Sequence, residues 1–247
     1  MRLTAGLLLS LIALPLHADA LTDVRSALGR FAGRAAIRAS YDVHRIEKNE
    51  GKLGNESTNG KVSVEVEGDA NGFRVIFPRP LLDAVEREKL AETRNAKATS
   101  PTVNALREVD PVAAANAVDF APELLRLLDG AKVVEEKAGA WNGKPARTVT
   151  FGLTHSIETD GAGKMTVAQN KLTLWLDANN VPLGGEHHFQ AKFSFLIFKG
   201  ESKQQKKWQF AGVGDRLVRL RQEEQNNMTG MGQKQNEQTV ATVRVHG

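Results

Sequence analysis

The chain contains no cysteine, and that absence removes several classes at once. Disulfide stapling, thiolate catalysis and cysteine-ligated metals are excluded. So is anchoring through the lipid-modified cysteine with which a bacterial lipoprotein begins its mature form. Long apolar runs are scarce too. Beyond the segment Met1 to Ala20, no stretch approaches the roughly 20 apolar residues that span a bilayer, so no transmembrane span is expected. Catalytic signatures are also missing: there is no H-E-x-x-H, no G-x-S-x-G, no P-loop and no G-x-G-x-x-G after a strand. Aromatic residues make up only 6% of the chain and are not interleaved with the basic ones, so nucleic acid is not an expected partner.

What is present begins with an address. Met1 and Arg2 give a short positive start, Leu3 to Leu16 form an apolar run ending near Pro15, and Ala18-Asp19-Ala20 sets small residues where a signal peptidase reads. That order of charge, short apolar core and A-x-A predicts a removed secretory signal over residues 1–20. The run is too short for a membrane helix. An exported chain without disulfides must be held by its core alone, and residues 21–247 are long enough to form one large domain. The net charge is +4, with both signs interspersed.

Along residues 21–247 the hydrophobic period changes twice. Val24, Ala27, Leu28 and Phe31 recur at helical spacing after Thr22 or Asp23, with Gly33 as the stop. Period two follows in Ile37, Ala39, Tyr41 and Val43, and again in Val62, Val64 and Val66, with a polar turn expected over 49–59. Phe73, Val75 and Phe77 return after the Gly68 to Gly72 turn. From Pro80 to Gly130 helix formers dominate, and Ser100-Pro101 and Asp110-Pro111 each set a capping side chain before a proline. A further helix is predicted over 122–129. Strands then resume through Val133-Val134, the Asn142-Gly143 turn, Val149 to Leu153, the Gly161 to Gly163 turn, Leu172 to Leu176, Phe189 to Ile197, Trp208-Phe210, Val218-Leu220 and Thr239 to Val245. The Gln/Asn-rich segment 222–238 reads as a long loop or hairpin tip. Because the connections are too short for parallel crossovers, the fold class is α+β, a large antiparallel sheet with a helical insertion at about 80–130.

No constellation carries chemistry. His187 and His188 are neighbours on a strand and point to opposite faces, so they do not share one ion, and they read as a solvated or rim pair. Glu65 and Glu67 lie opposite the valines, His155-Ser156 is not the arrangement a nucleophile and its base need, and Gly212-Val213-Gly214-Asp215 is a turn. No catalytic residue, metal ligand or cofactor is assigned. The densest basic run holds Lys199, Lys203, Lys206 and Lys207. It reads as a solvated hairpin loop whose lysines discourage edge aggregation, or as a contact for anionic headgroups or an acidic partner.

The opening Val24 to Phe31 helix, the Gly72-Phe73-Arg74-Val75 strand with its proline end, and Leu172-Thr173-Leu174-Trp175-Leu176-Asp177 followed by Val181-Pro182-Leu183 give the chain a layout that resembles a known family. It is similar to the superfamily of the bacterial outer-membrane lipoprotein carrier and its relatives, the lipoprotein receptor and the periplasmic regulator that senses envelope stress. The resemblance implies an incomplete, curved β-barrel covered by helices, with an apolar concavity that holds acyl chains. It also implies a periplasmic, non-enzymatic protein with a lipid or other hydrophobic small molecule, or an envelope protein, as partner. None of the family's functional positions is carried over. Wall candidates for such a cavity are the inward strand residues Tyr41, Val64, Phe73, Val75, Phe77, Phe151, Leu174, Leu176, Phe193 and Phe195. The same stripes would also make an ordinary filled core.

Overall fold

Alternation of apolar and polar residues builds the strands, and a computed structural model of residues 19–51, 54–154, 163–195 and 198–246 shows how they pair. The chain runs α1 (Ala20–Leu28), β1 (Ile37–Gly51), β2 (Glu56–Asp69), β3 (Gly72–Ile76), α2 (Arg79–Arg94), α3 (Pro101–Leu106), α4 (Pro111–Val118), α5 (Ala121–Leu127), then β4 (Lys132–Trp141), β5 (Lys144–Gly152), β6 (Gly163–Leu176), β7 (Pro182–Phe195), β8 (Phe198–Val213), β9 (Arg216–Gly230) and β10 (Gln233–Val245). All ten strands form one antiparallel sheet in the order β3-β2-β1-β10-β9-β8-β7-β6-β5-β4. The meander from β4 ends by pairing β10 with β1. The sheet does not close, because β3 and β4 remain as edges. The expected α+β incomplete barrel is the observed fold.

The helical insertion leaves one edge strand, β3, and returns to the other, β4. Helices α2–α5 therefore bridge the opening on the concave side. They divide the interior into two apolar cores. In the first, Val24 and Leu28 of α1 and Leu124 of α5 pack on Val149, Phe151, Leu172, Leu174, Leu176 and Trp208. In the second, Ala105, Ala114, Ala117 and Val118 pack on Ala39, Tyr41, Val43, Val62, Val64 and Val66. Alanines on α4 let that helix approach the sheet closely, and α3 comes closer still. A Cβ on Gly60 of β2 would lie 1.8 Å from the Pro101 carbonyl oxygen, so glycine is required beneath α3.

Several boundaries differ from the sequence expectation. Helix α1 is capped by Asp19, whose carboxylate accepts the Leu21 N–H, and it ends at Gly29. Thr22 and Asp23 lie in its first turn, and Gly33 serves the following loop in a left-handed conformation, φ +67°. Ser100 provides no capping bond to α3; Glu88 of α2 does so, accepting from the Thr102 and Val103 N–H groups. Asp110 caps α4 as expected.

The largest corrections concern strand length. The polar segment expected as a turn over 49–59 is mostly β1 and β2, paired as far as Asn49 with Glu56. The Lys199 to Lys207 run is not a loop but the first half of β8. Segment 222–238, of the two alternatives a long loop or a hairpin tip, is the tip of the β9–β10 hairpin, turning at Met231 and Gly232, both at positive φ. These stretches have polar residues on both faces because they run past the helical cover, where neither face is buried. Backbone pairing and cross-strand polar contacts hold them instead. His155, Gly161, Ala162 and Ile197 lie outside the described residues.

Candidate functional site

Cross-strand register sets the interior in rungs. One rung runs Phe151, Leu172, His187, Lys206, Glu224, Thr239, Arg45, Gly60 across β5, β6, β7, β8, β9, β10, β1 and β2. On the helix-proximal side of this line the concave face is the two apolar cores, interrupted by Gln222 and Arg219 of β9. From this line outward it becomes charged and polar. The change occurs where α3–α5 end their cover, and a cleft of about 240 Å³ opens there. Tyr41, Glu108, Phe120, Trp208, Arg219 and Thr239 are among its lining residues.

Arg45 stands behind Glu108, one of the lining residues. Only 6% exposed, it donates from Nη2 to Glu237 at 2.8 Å and from Nη1 to the Asn104 side-chain oxygen at 2.9 Å. Glu47 and Glu108 approach the same guanidinium at 3.2 and 3.4 Å. The network fastens α3 to the sheet through Asn104. Burial opposes ionisation of Glu47, yet bonds from Asn49, Asn104 and Gln235 and the charge of Arg45 prevail and hold its carboxyl below the usual range. Burial raises the Glu108 carboxyl, only partly offset by Arg45.

The floor is different. Arg219 is 7% exposed and its guanidinium lies over the Phe120 ring, 5.0 Å from the centroid, with a side-chain hydrogen bond to Tyr41. Phe120 stacks on Phe210 and tilts against Trp208, each at 5.3 Å. Burial lowers the Arg219 pKa and raises that of Tyr41. The neighbouring carboxylates are already engaged. Glu224 accepts from Gln204 and Gln222 and faces Lys206 at 3.4 Å; Glu123 holds Arg126 through two bonds. Asp110 accepts the N–H groups of Val112 and Ala113. No carboxylate lies within 4.0 Å of the Arg219 guanidinium among the described residues, and the Thr239 hydroxyl, 3% exposed, has no hydrogen-bond partner.

Beyond the cleft the concave face of β6, β7 and β9 carries an apolar strip. Register and alternation place Val167 beside Ala191, Met165 beside Phe193, and Met228 beside Ser202 on that face. Phe193 lies over Gly200, where a Cβ would come 2.2 Å from its ring. Met228 is 42% exposed, and Phe193 is half-buried.

The cavity-wall candidates are distributed over several places. Val64 belongs to one packed core, and Phe151, Leu174 and Leu176 to the other. Tyr41 packs in the first of these and also lines the charged cleft. Val75 and Phe77 flank the same core as Val64. Phe73 is an exposed residue beside the β2–β3 turn, with the Arg216 guanidinium over its ring. Phe193 sits on the outer strip, and the Phe195 side chain lies outside the described residues. The four lysines do not form one patch: Lys206 faces the cleft and pairs with Glu224, while Lys199, Lys203 and Lys207 point to the other face, the last two near Glu201 and Glu186. Sequence reading missed Arg45, Arg219 and Thr239, which stand on the inward parity of strands otherwise read from their apolar residues. That parity was the available signal. Among the described residues no three His, Asp or Glu side chains gather as a metal site, and no helix is long and apolar enough to cross a membrane.

No family model matches the sequence, and no curated protein is similar to it at a significant level. Among solved structures, the chain is similar to one described as an outer membrane lipoprotein-sorting protein domain from Vibrio parahaemolyticus. That likeness has 10% identity over 92% of each chain and a TM-score of 0.29. It is also similar to MucB in complex with MucA(peri), at 10% identity over 90% of this chain and 94% of that one, with a TM-score of 0.20. At such scores neither likeness carries an argument about function.

Proposed function

We propose that this is an exported, non-enzymatic binding protein of the cell envelope that holds a hydrophobic ligand with a polar end on the concave face of its open barrel. One observation carries the reading. The concave face passes from a charged, half-covered cleft to an apolar strip on β6, β7 and β9 that no helix covers among the described residues. A filled core alone would need neither. The apolar cores under the helices are packed, so the ligand's chain lies along Met165, Val167, Phe193 and Met228 rather than beneath α2–α5. The polar end then reaches the cleft. Ligand pockets commonly combine an apolar wall with a few placed polar groups. Mass spectrometry of protein isolated from the envelope without detergent tests this: a co-purifying lipid-like molecule is expected, and ligand-free protein that binds no added acyl chain opposes it.

A second reading, an envelope protein as the partner, has its own support. Strand β5 pairs with β6 over Lys171 to Leu176 and Leu153 donates to the Asn170 carbonyl, so the outer edge of Gly163 to Gln169 has no strand beside it among the described residues. An extended segment of another chain would add there by backbone pairing.

A further inference from the structure

We propose that Arg219 is the recognition residue for an oxyanion, a carboxylate or phosphate group at the polar end of the ligand; this rests on the reading of the concave face given above. A buried guanidinium is costly unless it is paired, and its planar fork of donors matches a two-oxygen anion. Arg219 has an aromatic face below it and one phenolic oxygen beside it, and no carboxylate within 4.0 Å among the described residues. Every acidic neighbour in the cleft has its own partner: Lys206 for Glu224, Arg126 for Glu123, Arg45 for Glu108, and two backbone N–H groups for Asp110. Arg107 also lines the cleft without an ion pair among the described residues but is exposed to solvent, so the surplus buried cation is Arg219. Thr239, whose buried hydroxyl has no hydrogen-bond partner, lines the same cleft and is placed to supply a further donor. Glu224 and Glu108 stand close by, which disfavours a multiply charged ligand and leaves a single oxyanion as the fitting group.

The test compares three probes of equal chain length at neutral pH: dodecanoate, dodecyl phosphate and dodecanol, titrated by calorimetry and by the fluorescence of Trp208, which lines the cleft. Charge-assisted bonds predict that the two anions bind about 10-fold or more tightly than the alcohol. Arg219→Gln is expected to bring the affinity of both anions down to that of dodecanol measured on the same variant, and Arg219→Lys to reduce the preference. The wild-type comparison stands even if a variant does not fold. Equal affinity of all three probes, or a preference that survives Arg219→Gln, overturns the oxyanion site and leaves the hydrophobic-ligand reading intact. If no chain-bearing probe binds but inorganic phosphate binds wild type and not Arg219→Gln, the oxyanion site holds and the hydrophobic-ligand reading falls. Absence of all binding overturns both. Dodecanoate binding against dodecyl phosphate then separates a fatty-acid source from a phosphate-bearing one.

Discussion

Arginine governs this molecule at the scale of single residues, and the three buried copies among the described residues do different work. Arg45 is neutralised by Glu47, Glu108 and Glu237 and fastens α3. Arg219 is left with an open fork. Arg216, fully buried, joins parts distant in sequence: its Nε donates to the Ala35 carbonyl at 2.8 Å, Nη1 faces Asp119 at 3.4 Å and Nη2 reaches the Asp69 carbonyl at 3.3 Å. Removing one member of such a buried pair strands the others. Arg216→Ala is therefore expected to lower stability by about 3–5 kcal/mol, measured by urea unfolding. Beside it, Asp215 accepts the N–H groups of Ala35 and Arg34, bonds that hold its carboxyl below the ordinary 3.8. A depressed folded pKa contributes stability above 3.8 that is lost as pH falls through the lower folded value. The stability margin of wild type over Asp215→Ala should accordingly be full at neutral pH and shrink in acid below 3.8. A margin that grows in acid would contradict the assignment.

At the scale of elements, the helical cover is positioned by close approach more than by wide apolar contact. Gly60 gives α3 its seat on β2, and Asn104 and Glu88 supply the polar ties. Gly60→Val is expected to cost about 1–3 kcal/mol through overpacking and to speed hydrogen exchange in α3 more than in α5, which packs in the other core. The arrangement was partly legible in the sequence. Period-two apolar residues announced β1 and β2, proline after Asp110 announced α4, and Asn142-Gly143 announced the β4–β5 turn. The distal halves of β8, β9 and β10 were not legible. They carry Gln, Asn, Lys and Glu on both faces, so the alternation that marks a half-buried strand is missing there. The site was hidden for a related reason: Arg45 and Arg219 continue the inward parity of Tyr41 and Leu217, but apolar patterning passes over charged residues at inward positions.

Over the whole molecule, a sheet of ten strands stays open because its two edge strands are bridged by helices instead of by each other. Those helices are shorter than the strands they cover. The molecule thus has a packed half, where apolar residues meet under α1–α5, and an open half, where the same concave face passes a charged line and becomes an apolar strip. The wall candidates Val64, Phe151, Leu174 and Leu176 are packed into the two cores, and the ligand surface proposed above begins at the edge of the cover. The measurement that bears most directly on it is native mass spectrometry of the protein released from the envelope without detergent. A single bound molecule of lipid mass is expected, displaced by dodecyl phosphate and not by dodecanol at equal concentration. A bare polypeptide mass, unchanged after either probe is added, would contradict it.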